Sequence, residues 1–292
     1  MKSQMEYYSF NRYLRNRFGC KVYKISINGG FTCPNRDGTC GTRGCIFCSA
    51  GGSGDFAEDP RLSVTQQIEK GKLRVQNKIK SGKYIAYFQA FTNTYAPMEV
   101  LRKKFTEAIE HPDIVMLSIA TRPDCLPDDV IDLLAQLNTI KPVSVELGLK
   151  TIHQKSADYI RRGYNLACFD DAVCRLKEAG LEVVCHIILG LPGESKSDML
   201  QSVDYACKSG INGIKLQLLH VLKNTDLEKE YRAGKFKTLT FEEYLDIIKS
   251  CVKIIPKEIV IHRLTGDGAK KDLIAPLWSA DKKKVLNAIS KL

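Results

Sequence analysis

Apolar residues recur along this chain with two different periods. Compact apolar runs at 22–27, 84–91, 114–120, 143–149, 182–191 and 213–220 read as strands. The segments 63–80, 97–110, 127–137 and 197–208 carry apolar residues three and four apart, the helical period, and helical pattern also fills the stretch up to Ala179. Six strand–helix alternations with apolar strands predict a parallel sheet covered by helices. Right-handed crossovers of this length favour a barrel or an open barrel; a doubly wound sheet is the alternative, because strand order is not written in a sequence. The repeat occupies 1–221, slightly short for a closed eight-stranded barrel. Beyond it the pattern loosens into a helix at 241–255, a strand at 259–264 and a terminal helix at 281–292. The expectation is one barrel domain with a C-terminal extension, 222–292, packed on it. No internal repeat or low-complexity tract interrupts the chain.

Composition narrows the class. With 292 residues and 44% hydrophobic side chains the chain can bury a full core, which excludes a disordered protein. A net charge of +11 points to a polyanionic partner, nucleic acid before membrane. No apolar run reaches the roughly 18 residues that a bilayer span needs. The first ten residues lack the apolar core and cleavage site of a secretory signal. The expected compartment is therefore cytoplasmic, where thiols stay reduced, and eleven cysteines then point to metal binding or catalysis rather than disulfides.

Four of them, Cys33, Cys40, Cys45 and Cys48, fall in the loop 28–54 that follows the first strand. Glycines 29, 30, 38, 41 and 44 let that backbone fold tightly enough for thiolates to converge. Three readings compete. Four cysteines can hold a structural zinc, although only Cys45 and Cys48 have the Cys-x-x-Cys spacing. Three can hold a [4Fe–4S] cluster with one iron left open, with Phe47 as an apolar shield. The thiols can also be unrelated. The loop's place at the C-terminal end of a barrel strand, where such folds keep their chemistry, tips the balance modestly toward the cluster. The other thiols, Cys20, Cys125, Cys168, Cys174, Cys185, Cys207 and Cys251, are isolated and read as core or surface residues.

The cysteine loop resembles that of radical S-adenosylmethionine (SAM) enzymes of the Elongator-catalytic-subunit-like group, more narrowly the bacterial YhcC/YtqA branch. The likeness continues in Val145-Glu-Leu-Gly-Leu149, in His186-Ile-Ile-Leu-Gly-Leu-Pro-Gly-Glu194, in Gly213-Ile-Lys-Leu-Gln-Leu-Leu-His-Val-Leu222 and in Ile261-His-Arg-Leu-Thr-Gly-Asp-Gly268. The resemblance implies a partial (β/α)6 barrel. It implies Cys33, Cys45 and Cys48 as ligands of a [4Fe–4S] cluster, with Cys40 unligated. In such enzymes the open iron chelates SAM, one electron breaks its carbon–sulfur bond, and a 5′-deoxyadenosyl radical takes a hydrogen from the substrate. An electron donor such as flavodoxin or ferredoxin is implied as well. For this branch the implied substrate is tRNA: the carboxymethyl group of 5-carboxymethylaminomethyl-2-thiouridine at the wobble position is removed, and the product passes to a separate methylase.

Other candidates follow from position. Gln89, Thr92 and Asn93 follow the second strand, and backbone carbonyls near Gln89 and Phe91 are expected to meet SAM. Arg122, after the third strand, suits a carboxylate or phosphate. Glu146 is a carboxylate inside an apolar strand; the resemblance implies a polar contact with SAM, against a buried ion pair as the alternative. Lys150 stands where the family pattern has glutamine, and either adds charge at the site or reaches solvent. Leu216 to Leu218 resemble the wall beside adenine, against ordinary core. His186 reads as a core histidine and Glu194 as a helix cap. The turn holding His262, Arg263 and Asp267 could close the barrel mouth. RNA contacts are expected from Arg12, Arg15, Arg17, Lys21 and Lys24 beside Tyr7, Tyr8, Tyr13 and Tyr23, and from lysines 270, 271, 282, 283 and 284. The alternatives are a radical enzyme acting on a small metabolite or a protein, and a zinc-stabilised RNA-binding module.

Overall fold

The structure, a computed structural model, describes residues 6–78, 82–266 and 268–292. Strands β1 (Tyr23–Ile27), β2 (Tyr84–Phe88), β3 (Ile114–Thr121), β4 (Val143–Lys150), β5 (Glu182–Leu189) and β6 (Gly213–Leu218) pair in sequence order, all parallel. The helices between them are α2 (Val64–Val75), α3 (Met98–Glu110), α4 (Asp128–Asn138), α5 (Gln154–Tyr159), α6 (Leu166–Glu178) and α7 (Lys196–Lys208). The doubly wound alternative is thereby removed: strand order never reverses, as in a barrel left open.

The C-terminal part completes this sheet. After the short strand β7 (Val221–Leu222) and helices α8 (Asp226–Arg232) and α9 (Phe241–Ile254), β8 (Val260–Arg263) joins β6 in parallel as a seventh strand. Strand β9 (Leu273–Ala275) pairs with β7 antiparallel, and helix α10 (Lys282–Ile289) packs on α9.

A helix not anticipated in the sequence, α1 (Phe10–Phe18), covers the floor. Ser9 bridges to Ile261 of β8, and the chain then crosses beneath the sheet to enter β1. Leu14 packs with Val22, Ile85 and Met116, all near the starts of their strands. The Tyr13 hydroxyl donates to Glu182 at the start of β5, 2.7 Å away. Helix starts follow their caps: Ser63 with Gln66 opens α2, and Thr240 with Glu243 opens α9. Ser195 with Asp198 opens α7, so Glu194 is not the cap; its carboxylate accepts from Thr151 Oγ1 at 2.5 Å. Helix α2 ends at Val75, short of the expected 80, and residues 79 and 80 lie outside the described chain.

Strand alternation divides the molecule into two chemistries. Outward positions such as Ile25, Phe88, Leu117, Val145, Leu147, Ile187 and Leu216 form the apolar core with the helices. Inward positions carry a polar set, Lys24, Tyr87, Ser118, Glu146, His186, Lys215 and Gln217, with the apolar Ile85 and Met116 at the floor. The barrel is therefore held by its outer layer and carries its charge inside.

Candidate active site

The loop 28–54 folds over the C-terminal ends of the strands through bonds from its own backbone and polar side chains. Arg36 N–H donates to the Cys33 carbonyl at 2.8 Å and Cys48 N–H to that of Cys45 at 3.0 Å, closing a turn at each end of the ligand set. The Arg36 guanidinium donates to the Ser49 carbonyl at 2.6 Å. Asn35 Nδ2 donates to the Arg161 carbonyl at 2.7 Å, which ties the loop to the segment after α5. An apolar cluster that includes Ile46, Ile160, Leu219, Val221 and Leu227 anchors the loop from beneath.

The seam with β2 is close-packed. Phe91 N–H donates to the Gly52 carbonyl at 2.8 Å, and Phe91 itself takes a left-handed conformation, φ 62°. Gly52 has φ +59°, and a Cβ there would come within 2.4 Å of the Phe91 ring. Gly52→Ala adds a clash to a backbone strain of about 1–2 kcal/mol. The expected outcome is a folded protein that retains much less iron than wild type after anaerobic reconstitution, measured by iron and sulfide content.

This arrangement creates a cavity of about 220 Å³ at the barrel mouth, lined by Cys33, Cys45 and Cys48 but not by Cys40. Cys40 is exposed, with its sulfur 3.9 Å from Arg122 Nη2. Burial, then the neighbouring Cys48, raises the Cys45 thiol to about 11. A bound metal reverses that tendency, since coordination deprotonates a thiol outright. The spacing of the sulfurs argues against a single ion. Four thiolates around zinc must approach one another to under about 4 Å. Among the described residues the one trio of ligating atoms within 4.8 Å is Glu69, His111 and Asp113, far along the chain from the loop. Three thiols that share a cavity while staying apart, with Phe47 beside them, suit the corners of a cluster better than one ion.

Several other candidates have tasks within the protein. Gln89 lines the cavity, but its side chain clamps the loop, accepting from Ser26 Oγ at 3.0 Å and donating to the Ser53 carbonyl at 2.8 Å. Thr92 lines the cavity; Asn93 is buried and donates to the Ala120 carbonyl at 2.8 Å. Arg122 reaches the cavity while paired with Asp124 at 2.6 Å.

Glu146 lines the cavity and is also paired within the barrel. The ion pair, named above as the alternative, is present. One oxygen accepts from Lys24 Nζ at 2.5 Å and Ser118 Oγ at 2.8 Å; the other from His186 Nε2 at 2.8 Å and from Lys215. Burial alone would raise the Glu146 carboxyl, yet Lys215 and Lys24 hold it well below its ordinary value. The Tyr87 ring lies between the two ammonium groups, 4.4 Å from Lys24 Nζ and 4.6 Å from that of Lys215. His186, read as a plain core residue, belongs to this network. Burial and Lys215 push it down to about 3, so its ring is neutral, donating from Nε2 to Glu146 and accepting from Gln217 at Nδ1, 3.3 Å away. No sequence signal joined Lys24, Glu146, His186 and Lys215, which come from four strands.

Leu216 needs correcting. Its side chain faces outward into the helix layer, because it alternates with Lys215 and Gln217, which face inward. Gln217, Leu218 and Leu219 are the β6 residues at the cavity. Of the C-terminal turn, Arg263 lines the cavity, while His262 stacks on Phe10 with ring centroids 4.0 Å apart. Asp267 lies outside the described residues.

Residues 36–206 match the radical SAM superfamily, more than half of the chain, and residues 211–292 match the radical SAM C-terminal domain. The chain belongs to the radical SAM superfamily. It is an enzyme of the kind that uses a [4Fe–4S] cluster and SAM, and the cavity with its three thiols suits both. Among its relatives is the uncharacterized protein YtqA of Bacillus subtilis (strain 168), 47% identical over 289 residues, 99% of this chain and 90% of that one. A tRNA uridine(34) acetyltransferase of Methanocaldococcus jannaschii is 29% identical over 168 residues, 56% of this chain and 30% of that one. Among solved structures, the archaeal Elp3 of Methanocaldococcus infernus matches with a TM-score of 0.66 at 18% identity. That match covers 92% of this chain and 63% of the Elp3 chain, and shows the radical SAM fold. Membership removes the zinc-module alternative. Among the described residues no helix is long and apolar enough to cross a membrane.

Proposed function

We propose that this enzyme modifies the wobble uridine of tRNA, converting 5-carboxymethylaminomethyl-2-thiouridine to the aminomethyl form. The observation that carries this reading is the similarity to a tRNA uridine(34) acetyltransferase over 168 residues. The charge distribution supports it. Arg43 of the cysteine loop, Lys223, Lys270 and Lys271 are exposed and lie within a few residues of Gly44, Leu222 and Gly268 of the cavity wall. Phosphates bind to such a rim, and a wobble base is unpaired in its loop and can enter a barrel mouth.

In the N-terminal stretch Arg12, Arg15 and Lys21 are exposed, at the other end of the barrel from the cavity. Helix α1 lies under the floor, opposite the cavity; Arg17 pairs with Glu182, and Lys24 is bound to Glu146. The lysines at 282–284 sit on α10, whose neighbour is α9.

In this reading Cys33, Cys45 and Cys48 hold the cluster, and the polypeptide around Gln89, Phe91 and Gln217 forms the SAM site. When bound, cluster and SAM supply a carbon radical able to remove a hydrogen atom. The residues of the chain do the rest. The Glu146 network fixes the floor, the cysteine loop and β6 exclude water, and the basic rim orients the RNA. Loss of a hydrogen atom from the carbon between the amine and the carboxylate gives a nitrogen-stabilised radical; a one-electron acceptor, such as the oxidised cluster when bound, would take the next electron as the N–H proton leaves, and water hydrolyses the resulting imine to the aminomethyl nucleoside and glyoxylate. An electron donor such as flavodoxin or ferredoxin, and a methylase acting on the product, complete the scheme.

The test incubates reduced enzyme and SAM with tRNA carrying the carboxymethylaminomethyl group, then digests the RNA and separates its nucleosides. The aminomethyl nucleoside is the expected product. Intact starting nucleoside alongside SAM cleavage that needs no RNA would reject tRNA and favour a small metabolite or a protein.

A further inference from the structure

Lys150 is the residue that the site leaves without a purpose. Strands β4 and β5 lose register before it: Leu147 pairs with Cys185, but Lys150 pairs with Ile187, so β4 holds one residue more over this span. Such a bulge re-aims a side chain. Ile187 faces the helix layer, yet Lys150, its partner, lines the cavity. The backbone there is left-handed, φ 69°, which a lysine adopts only against a strain of about 1–2 kcal/mol. Gly148 leaves the room: a Cβ on it would lie 2.9 Å from Lys150 Cε and 3.1 Å from its Nζ.

The ammonium so placed makes no hydrogen bond and no ion pair among the described residues. Its cationic neighbours Arg122 and Arg162 each have partners within the protein. Arg122 is neutralised by Asp124. Arg162 donates to the carbonyls of Tyr164, Leu149 and Thr151, at 3.0, 3.2 and 2.6 Å, through Nε and Nη1, and only its Nη2 is left without a partner. That leaves a half-buried ammonium at the cavity wall with an open hydrogen-bonding face, and such a group calls for an anion.

We infer that Lys150 is the specificity residue of the substrate pocket and binds the carboxylate carried on the substrate's base. This rests on the wobble-uridine reading, in which the group to be removed ends in a carboxylate. Pairing with Lys150 holds that end at the cavity wall and turns the adjoining carbon toward the centre of the cavity. It also explains how a pocket tells substrate from product, since the aminomethyl product has no carboxylate and is itself cationic.

The experiment measures binding of two anticodon stem-loop RNAs to the cluster-loaded protein, one with the carboxymethylaminomethyl group and one with the aminomethyl group. Wild-type protein is expected to prefer the first by about ten- to a hundredfold, the range of one charge-assisted hydrogen bond. Lys150→Met is expected to abolish that preference by weakening the first RNA alone, and Lys150→Arg to keep most of it. Wild-type preference that survives in Lys150→Met overturns the assignment while leaving the wobble-uridine reading intact. A Lys150→Met protein that loses SAM affinity, or iron, overturns it in favour of a role toward the cofactors. Wild-type protein that neither discriminates between the RNAs nor converts the nucleoside overturns the reading and the inference together.

Discussion

Alanine at Cys33, Cys45 or Cys48, one at a time, is expected to give folded protein whose iron falls to background and which forms no 5′-deoxyadenosine from SAM. The three thiols line one cavity and come from one loop that its own backbone bonds hold shut. A site that must leave one iron open has no spare ligand, so losing any one thiolate removes a corner of the cluster. Cys40→Ala is the control and should keep full iron and full SAM cleavage, because that thiol is exposed and outside the cavity lining. Iron and sulfide analysis of anaerobically purified protein, with chromatography of the SAM products, reads both arms. A dead Cys40→Ala beside an active variant among the other three would reassign the ligand set.

Glu146→Ala carries the second large expected effect, and it falls on stability. The carboxylate is fully buried between Lys24 and Lys215, with His186 and Ser118 completing its hydrogen bonds. Removing it leaves the buried Lys215 and the half-buried Lys24 facing one another without their counter-ion. Breaking a buried pair in this way costs about 3–5 kcal/mol. For a domain of this size that lowers the melting temperature by roughly 10 °C. Thermal unfolding of the cluster-free protein checks this, since no cofactor contributes there. Glu146→Gln, which keeps the shape and some hydrogen bonds, is expected to lose less. An unchanged melting temperature together with weakened SAM binding would instead make Glu146 a cofactor contact.

Most of the barrel was legible because its signal is periodic. Apolar runs at 114–120, 143–149 and 182–191 lie within a residue or two of β3, β4 and β5, since an outward face packed under helices must be apolar at every other position. Helix α1 was missed for the opposite reason. It buries only Leu14, so the segment 10–18 reads as polar, and the purpose of its tyrosines and arginines appears only when β5 and β8 arrive beside it. The cysteine loop was legible as a motif because its ligands lie within sixteen consecutive positions, 33–48.

By itself, then, the sequence determined the parallel strand–helix architecture, the metal-binding loop and, through its motifs, the family. These are local or periodic properties, which neighbouring residues encode. The tertiary structure decided what each polar strand residue meets. Glu146 reads as an isolated carboxylate until strands β1, β5 and β6 bring Lys24, His186 and Lys215 to it. Leu216 reads as a wall of the site until alternation on β6 turns it outward. Lys150 reads as either buried or solvated until a bulge sets it at the cavity without a counter-ion. A parallel barrel places residues far apart in the chain side by side, and the pairing of charges across it depends on register, which a one-residue bulge changes and composition does not record.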